Sequence, residues 1–276
     1  MVTGASAGIG AATALRLASD GFTVYGVARR ADLLNDLAGV RPIQADITND
    51  AQRRDCVNRV LDETGRIDVL VNNAGSGLYG ALEDIPLETA QKLFEVNLFA
   101  HARLIQLFLP TFREQGKGTI MNVSSIAGRI YAPFGCWYHA SKFALEGLSD
   151  SLRIELKPYG VRVVLIEPGA IDTDGLRGAG ESLRSNSGST YYSTRANAAA
   201  RSMGELESVP ATAVANKIAL IANRRRIRTR YIIGKGAKAA VLMYRIFPDW
   251  LLDRLIEVRL RQHMEPVPAC VDGVGI

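Results

Sequence analysis

Tyr138 and Lys142, in the run Tyr-His-Ala-Ser-Lys, lie four residues apart. On a helix this spacing stacks two side chains one turn apart on the same face. An ammonium held beside a phenol favours the phenolate and draws its pKa down from about 10. Such a tyrosine can give or take a proton near neutral pH. A solvated helix face bearing one aromatic would show the same pair, so the surroundings must decide. Ser125 stands 13 positions before the tyrosine, just after the strand-like run Thr119-Ile120-Met121-Asn122-Val123. Asn97 lies further back, and the chain opens on the glycine-rich turn Thr3-Gly4-Ala5-Ser6-Ala7-Gly8-Ile9-Gly10.

The elements that must hold these residues alternate. Strands are expected at Phe22–Ala28, Ile43–Ala45, Val69–Asn72, Thr119–Val123, Val161–Ile166 and Arg230–Ile233. Helices are expected at Ala11–Ser19, Ala51–Thr64, Thr89–Phe112 and Tyr138–Lys157. Strand-helix alternation implies an α/β doubly wound parallel sheet with helices on both faces. Ligands of such sheets bind beyond the carboxyl ends of the strands, and every motif above falls at such an end or on the helix that follows. Glycines 4, 8 and 10 are spaced differently from Gly-x-Gly-x-x-Gly, yet the physics is shared: backbone without Cβ can approach a pyrophosphate at a helix N-terminus. Only Met1 and Val2 precede the turn, whereas a central strand usually runs about 5–6 residues. The first strand is therefore expected to be clipped: either the true start lies upstream of Met1, the preferred reading, or the chain tolerates a stub at its cofactor edge.

In their order, Thr3–Gly10, Asn72-Asn73-Ala74-Gly75, Asn97, Ser125, Tyr138, Lys142 and Pro168-Gly169 resemble the short-chain dehydrogenase/reductase family, in flavour its retinol and 17-beta-hydroxysteroid dehydrogenase-like members. The resemblance implies a Rossmann fold and reversible hydride transfer between a nicotinamide and a carbonyl or alcohol carbon of an apolar substrate. It implies that Tyr138 supplies the proton and that Ser125, rather than Ser124, donates to the same oxygen. Lys142 then tunes the tyrosine and holds the nicotinamide ribose, and Asn97 positions a water. Cofactor contacts are expected from Thr3, Gly4, Ser6, Gly8, Ile9, Gly10, Asn73, Ala74, Pro168, Gly169 and Thr173, with Asp46 at the adenine. Ala28 stands where NAD-selective members carry aspartate, and the guanidinium of Arg29 suits a 2′-phosphate, so NADP is expected over NAD. Ser6 and Ala7 depart from relatives that place a basic residue within the turn. Homodimers or homotetramers are the family's habit.

With 276 residues, 47% of them apolar and 22% charged, the chain fits one domain over 1–276. The expected division is a dinucleotide-binding core with the catalytic residues over 1–171, a substrate lid over 172–210, and a last helix, last strand and helical tail over 211–276. No apolar run approaches about 20 residues, and no secretory pattern opens the chain. Cys56, Cys136 and Cys270 are too scattered for a metal site. A reduced, cytoplasmic setting follows, and Cys136 reads first as a small buried hydrophobe, second as a pocket wall. The net charge of +5 gathers in Arg224–Arg230. Without interleaved aromatics this run does not suit nucleic acid. It reads as the end of a helix over Thr212–Asn223 leading into a strand, or more weakly as a contact for anionic lipid heads. Residues 173–208, rich in glycine and serine, read as a polar, flexible lid. In Trp250–Met264 a helix opened by Pro248 pairs Glu257 with Arg261, and it serves as a packed tail, a flap over an apolar pocket or a membrane-surface foot.

Overall fold

The computed structural model describes residues 1–30 and 32–264; Cys270 lies outside them. Seven strands form one parallel sheet: β1 (Val2–Thr3), β2 (Val24–Ala28), β3 (Val40–Gln44), β4 (Val69–Asn72), β5 (Gly118–Val123), β6 (Val161–Pro168) and β9 (Arg230–Ile233), in the order β3-β2-β1-β4-β5-β6-β9. Their runs of valine and isoleucine suit a sheet buried on both faces. The strand order reverses at β1, so a crevice opens between the carboxyl ends of β1 and β4. β1 is two residues long. It pairs in register with Gly26 and Val27 on one side and with Val71 on the other.

Helices cover both faces. α1 (Gly8–Ser19) and α10 (Ala211–Ala222) pack together over one face, where Ala14, Leu17, Val214 and Ile218 join Val2, Val71 and Ile166. α2 (Asp32–Asn35) follows β2 on the way to β3. On the other face α3 (Asp50–Thr64) and α5 (Ala100–Gln115) bury Val57, Leu104, Phe108 and Phe112 against Tyr25, Leu70 and Ile120. Asn49 caps α3 by accepting from the Gln52 amide, and Gly65 ends it in the left-handed region. The helix expected over Thr89–Phe112 is divided. α4 (Leu87–Phe94) runs into a π-turn at Glu95–Phe99 before α5 begins. Asn97 lies in that wider turn, where the hydrogen-bond ladder shifts register.

α6 (Cys136–Leu156) carries Tyr138 and Lys142. Beyond β6, a two-strand ribbon of β7 (Ile171–Asp172) and β8 (Val209–Pro210) ties off the lid at its base. The excursion between them is not the flexible loop expected for 173–208. It holds α7 (Asp174–Arg177), α8 (Ala179–Ser187) and α9 (Ser193–Gly204). Tertiary burial overrides the poor local propensity, because Leu183, Ala196, Ala199 and Ala200 pack against Ala81, Phe134 and Leu260. The tail forms α11 (Ala237–Ile246) and α12 (Asp249–Gln262), with Pro248 opening the second as expected. Glu257 bonds Arg261 at 3.3 Å, but its closer partner is Arg195 of α9, at 2.7 and 3.0 Å. Among the described residues no helix is long and apolar enough to cross a membrane.

Candidate active site

Gly4 and Gly8 take left-handed backbone at φ 66° and 53°. A Cβ on Gly10 would lie 2.1 Å from the Gly4 carbonyl oxygen and 2.6 Å from Asn73 Nδ2. The turn therefore folds back on itself beneath α1. Ala7 precedes α1 without any side-chain cap, so the first-turn amides stay open to an anion. Thr3 is fully buried, and its Oγ1 accepts from the Asn73 and Ala74 amides at 3.0 Å each. Asn73 returns a bond from Nδ2 to the Thr3 carbonyl at 2.9 Å. Thr3 and Asn73 thus lock the two loops together. Thr173 approaches from the lid side, its Cγ2 3.1 Å from where a Gly8 Cβ would sit. An open helix terminus, a glycine cradle and a deep cleft fit a pyrophosphate-bearing dinucleotide. We predict that Gly10→Ala costs about 3 kcal/mol or more in stability, measured by urea unfolding.

Arg29 and Arg30 are exposed past the end of β2. The Arg29 charge and bonds from the Thr48 amide and hydroxyl hold the Asp46 carboxyl below its ordinary range, the Thr48 amide contributing most. Arg30 reaches Ser6 Oγ at 3.4 Å. A cation therefore stands at the glycine turn although the turn itself has none.

Across the cleft, Ser125 and Tyr138 face one cavity with Lys142, Pro168, Gly169 and Ile9. Ser125 Oγ accepts from the Ala127 amide at 3.1 Å and donates to the Pro168 carbonyl at 3.3 Å. The Ser124 hydroxyl is buried without a hydrogen-bond partner among the described residues. Tyr138 lies beside Tyr79, ring centroids 5.6 Å apart. Burial pushes its phenol above the ordinary value, and the hydrogen bond with Ser125 only partly offsets this. The expected lowering by Lys142 is not seen. Lys142 Nζ donates to the Val123 carbonyl at 3.0 Å, and desolvation brings its own pKa down to about 8. Asn97 is buried and fully engaged: it accepts from the Ser76 amide at 2.9 Å and donates to the Ser76 carbonyl and Ser141 Oγ at 3.0 and 3.1 Å. Its side chain holds the loop at 75–76 against α6.

Sequence reasoning missed several supports. His139 Nδ1 donates to the Ala127 carbonyl at 2.9 Å while Nε2 accepts from the Ala132 amide at 3.1 Å. Burial keeps the ring neutral, and it staples the loop that leads into α6. In that loop Phe134 adopts φ 64°, a strained value for a bulky residue. His101, buried beneath the 73–75 segment, meets the Ala74 carbonyl at 2.7 Å and is held near pKa 3 mainly by desolvation. Cys136 is exposed, contrary to its buried reading, and lines a second cavity of about 520 Å³.

One turn beyond Lys142, Glu146 meets Glu167 in a buried charge cluster. Arg230 reaches Glu167 at 3.0 Å, Glu146 at 3.2 Å and Asp150 at 2.5 Å, and Arg129 reaches Glu167 at 3.4 Å. Burial, then the charge of Glu167, push Glu146 from 4.5 up to about 7. A carboxyl raised in the folded state holds its proton there at pH values where the unfolded chain has lost it. Stability from this group is complete below pH 4.5 and is lost as pH rises through about 7. Glu146→Gln should flatten that slope, worth on the order of 2–3 kcal/mol, in melting temperatures followed from pH 4 to 8.

A family model described as short chain dehydrogenase matches residues 1–183. A probable short-chain type dehydrogenase/reductase of Helicobacter pylori, VdlC, is 35% identical over 262 residues, 94% of this chain and 96% of that protein. A 3-ketodihydrosphingosine reductase of Bacteroides thetaiotaomicron is 39% identical over 173 residues, 63% of this chain and 64% of that protein. A solved short-chain dehydrogenase of Streptomyces avermitilis superposes with TM-score 0.78 at 30% identity, covering 95% of each chain. Other solved neighbours were determined with NADP or with NADH bound. Fold, motif order and these matches agree, and the chain belongs to the short-chain dehydrogenase/reductase family.

Proposed function

We propose that the protein is an NADP(H)-dependent oxidoreductase that interconverts a carbonyl and an alcohol on an apolar substrate. The observation that carries this reading is the convergence of Ser125, Tyr138 and Lys142 on the cavity that also reaches the glycine turn. A bound nicotinamide cofactor supplies the redox chemistry. The chain's own groups do the rest. The α1 N-terminus and glycines 4, 8 and 10 receive the pyrophosphate, with Ile9, Asn73, Ala74, Pro168, Gly169 and Thr173 around the cofactor and Asp46 at the adenine. In reduction, Tyr138 gives its phenolic proton to the developing alkoxide and Ser125 donates to the same oxygen. Lys142 restores the proton balance from below, and Asn97 keeps the adjoining loop and π-turn in register.

Arg29 and Arg30 together would hold a 2′-phosphate, Arg30 supplying the cation that Ser6 and Ala7 lack. Titration by nicotinamide fluorescence should show NADPH binding more tightly than NADH. The double change Arg29→Ala, Arg30→Ala should weaken NADPH about tenfold or more and leave NADH nearly unchanged. Tighter NADH binding by the unaltered protein would overturn the selectivity.

The substrate end of the cavity, about 1030 Å³ in all, is walled by Tyr79, Ile130, Leu176, Met203, Tyr244 and Ile256. Such a wall suits a long or polycyclic apolar carbonyl, and the likeness to a 3-ketodihydrosphingosine reductase supports a lipid-like chain. Phe99, where the π-turn enters α5, and Phe143 and Ile154 of α6 stand exposed on the outer side. These apolar side chains support a homodimer or homotetramer built on those helices, to be read by light scattering on a sizing column. A cytoplasmic enzyme is the setting that fits.

A further inference from the structure

The last two helices face two ways. Inward, Ala240 and Tyr244 of α11 and Ile256 and Leu260 of α12 line the substrate end of the cavity. Outward, the turn between them carries a cluster of large apolar side chains in water: Leu242 is 55% exposed, Ile246 65% and Trp250 67%, with Phe247 between them. A lone exposed leucine needs no explanation, but a contiguous cluster does. Lys238, Leu242, Arg245 and Ile246 recur at three- and four-residue steps, so they share one stripe of α11. Trp250, Arg254 and Val258 do the same on α12.

The charges are sorted. Lys238, Arg245 and Arg254 are exposed and form no ion pair among the described residues. The acidic residues turn elsewhere: Asp249 and Asp253 act on Tyr131 at the body of the protein, and Glu257 is taken by Arg195 and Arg261. Tryptophan and phenylalanine ringed by lysine and arginine match the boundary between lipid heads and acyl chains. Each cation near an anionic surface strengthens the attraction, and salt screens it. A second copy of the chain fits this face poorly, since a two-fold contact would set the three cations against themselves.

We propose that the α11–α12 turn is a foot that docks on an anionic lipid bilayer, with the mouth of the cavity beside it. The docking does not depend on hydride chemistry, so it stands or falls apart from the activity proposed above. The test is sedimentation of the full chain with phosphatidylcholine vesicles, with and without phosphatidylglycerol, at low and high salt. Binding is expected only with the anionic lipid, weakened by salt, with a blue shift of Trp250 emission. The double change Ile246→Ser, Trp250→Ser should cut partitioning about tenfold or more, and Lys238→Glu with Arg245→Glu should do the same. NADPH titration of each variant checks that the fold is intact. Sedimentation with neither vesicle, or equal sedimentation of the variants, overturns the proposal. So does self-association of the wild type on a sizing column that Ile246→Ser, Trp250→Ser abolishes.

Discussion

Tyr138→Phe is expected to lower turnover about a thousandfold while changing NADPH affinity by no more than about twofold. The ring loses only its hydroxyl, so its packing beside Tyr79 and His139 persists. The missing atom is the phenolic proton donor that faces the cavity together with Ser125. Because burial holds the phenol above its ordinary pKa, it is protonated at neutral pH and poised for the reductive direction. A raised pKa also fixes the sign of the pH dependence. Carbonyl reduction should hold level through neutral pH and fall only once the phenol ionises, whereas alcohol oxidation should climb with pH. Rates in both directions across a pH series, with wild type and variant side by side, check the prediction. Retained turnover in the phenylalanine variant would remove Tyr138 from the chemistry.

Lys142→Met should cost about a hundredfold in turnover and, unlike the tyrosine change, should weaken cofactor binding as well. Lys142 is buried, with Nζ on the Val123 carbonyl and about 3.7 Å from where a Gly75 Cβ would lie. Desolvation, opposed by the charge of Glu146, sets its pKa to about 8. The ammonium is therefore present below pH 8 and lost above it, and the wild-type profile should carry an inflection there that the methionine variant lacks. Lys142→Arg should not restore activity. The planar guanidinium is bulkier, and Asn97 Oδ1 already stands 3.1 Å from the same Gly75 position. A kcat and KM pair for each variant, with the pH profile, separates a lost proton path from a lost binding contact.

Much of this site was legible because its determinants are local. Strand runs such as Val69–Asn72 and Arg230–Ile233 match the structure residue for residue, since short runs rich in β-branched, aromatic and apolar residues stand apart from the helical patterns around them. The Tyr138–Lys142 spacing places both on one face of α6. What stayed hidden was non-local. Arg230 looked like the end of a surface arginine run, yet it closes on Glu146 across 84 residues. The direction of the Tyr138 shift depends on burial, which residue spacing does not reveal. Residues 174–204 lack a clear apolar stripe and are dotted with Gly175, Gly178, Gly180 and Gly188, so local pattern favours a loop. Only the alanines packed beneath α12 make them helices. Asn97 divides an otherwise continuous amphipathic stretch by a π-turn whose cause lies in its bonds to Ser76 and Ser141.

The most direct test uses NADPH deuterated at C4 of the nicotinamide and a panel of apolar carbonyls, including long-chain ketones, retinal and ketosteroids, with products analysed by mass spectrometry. For at least one substrate, the alcohol should gain one deuterium on the former carbonyl carbon, from one face of the nicotinamide only, and Tyr138→Phe should suppress its formation. NADPH bound tightly by the protein with no deuterium delivered to any member of the panel would contradict hydride transfer to an apolar carbonyl.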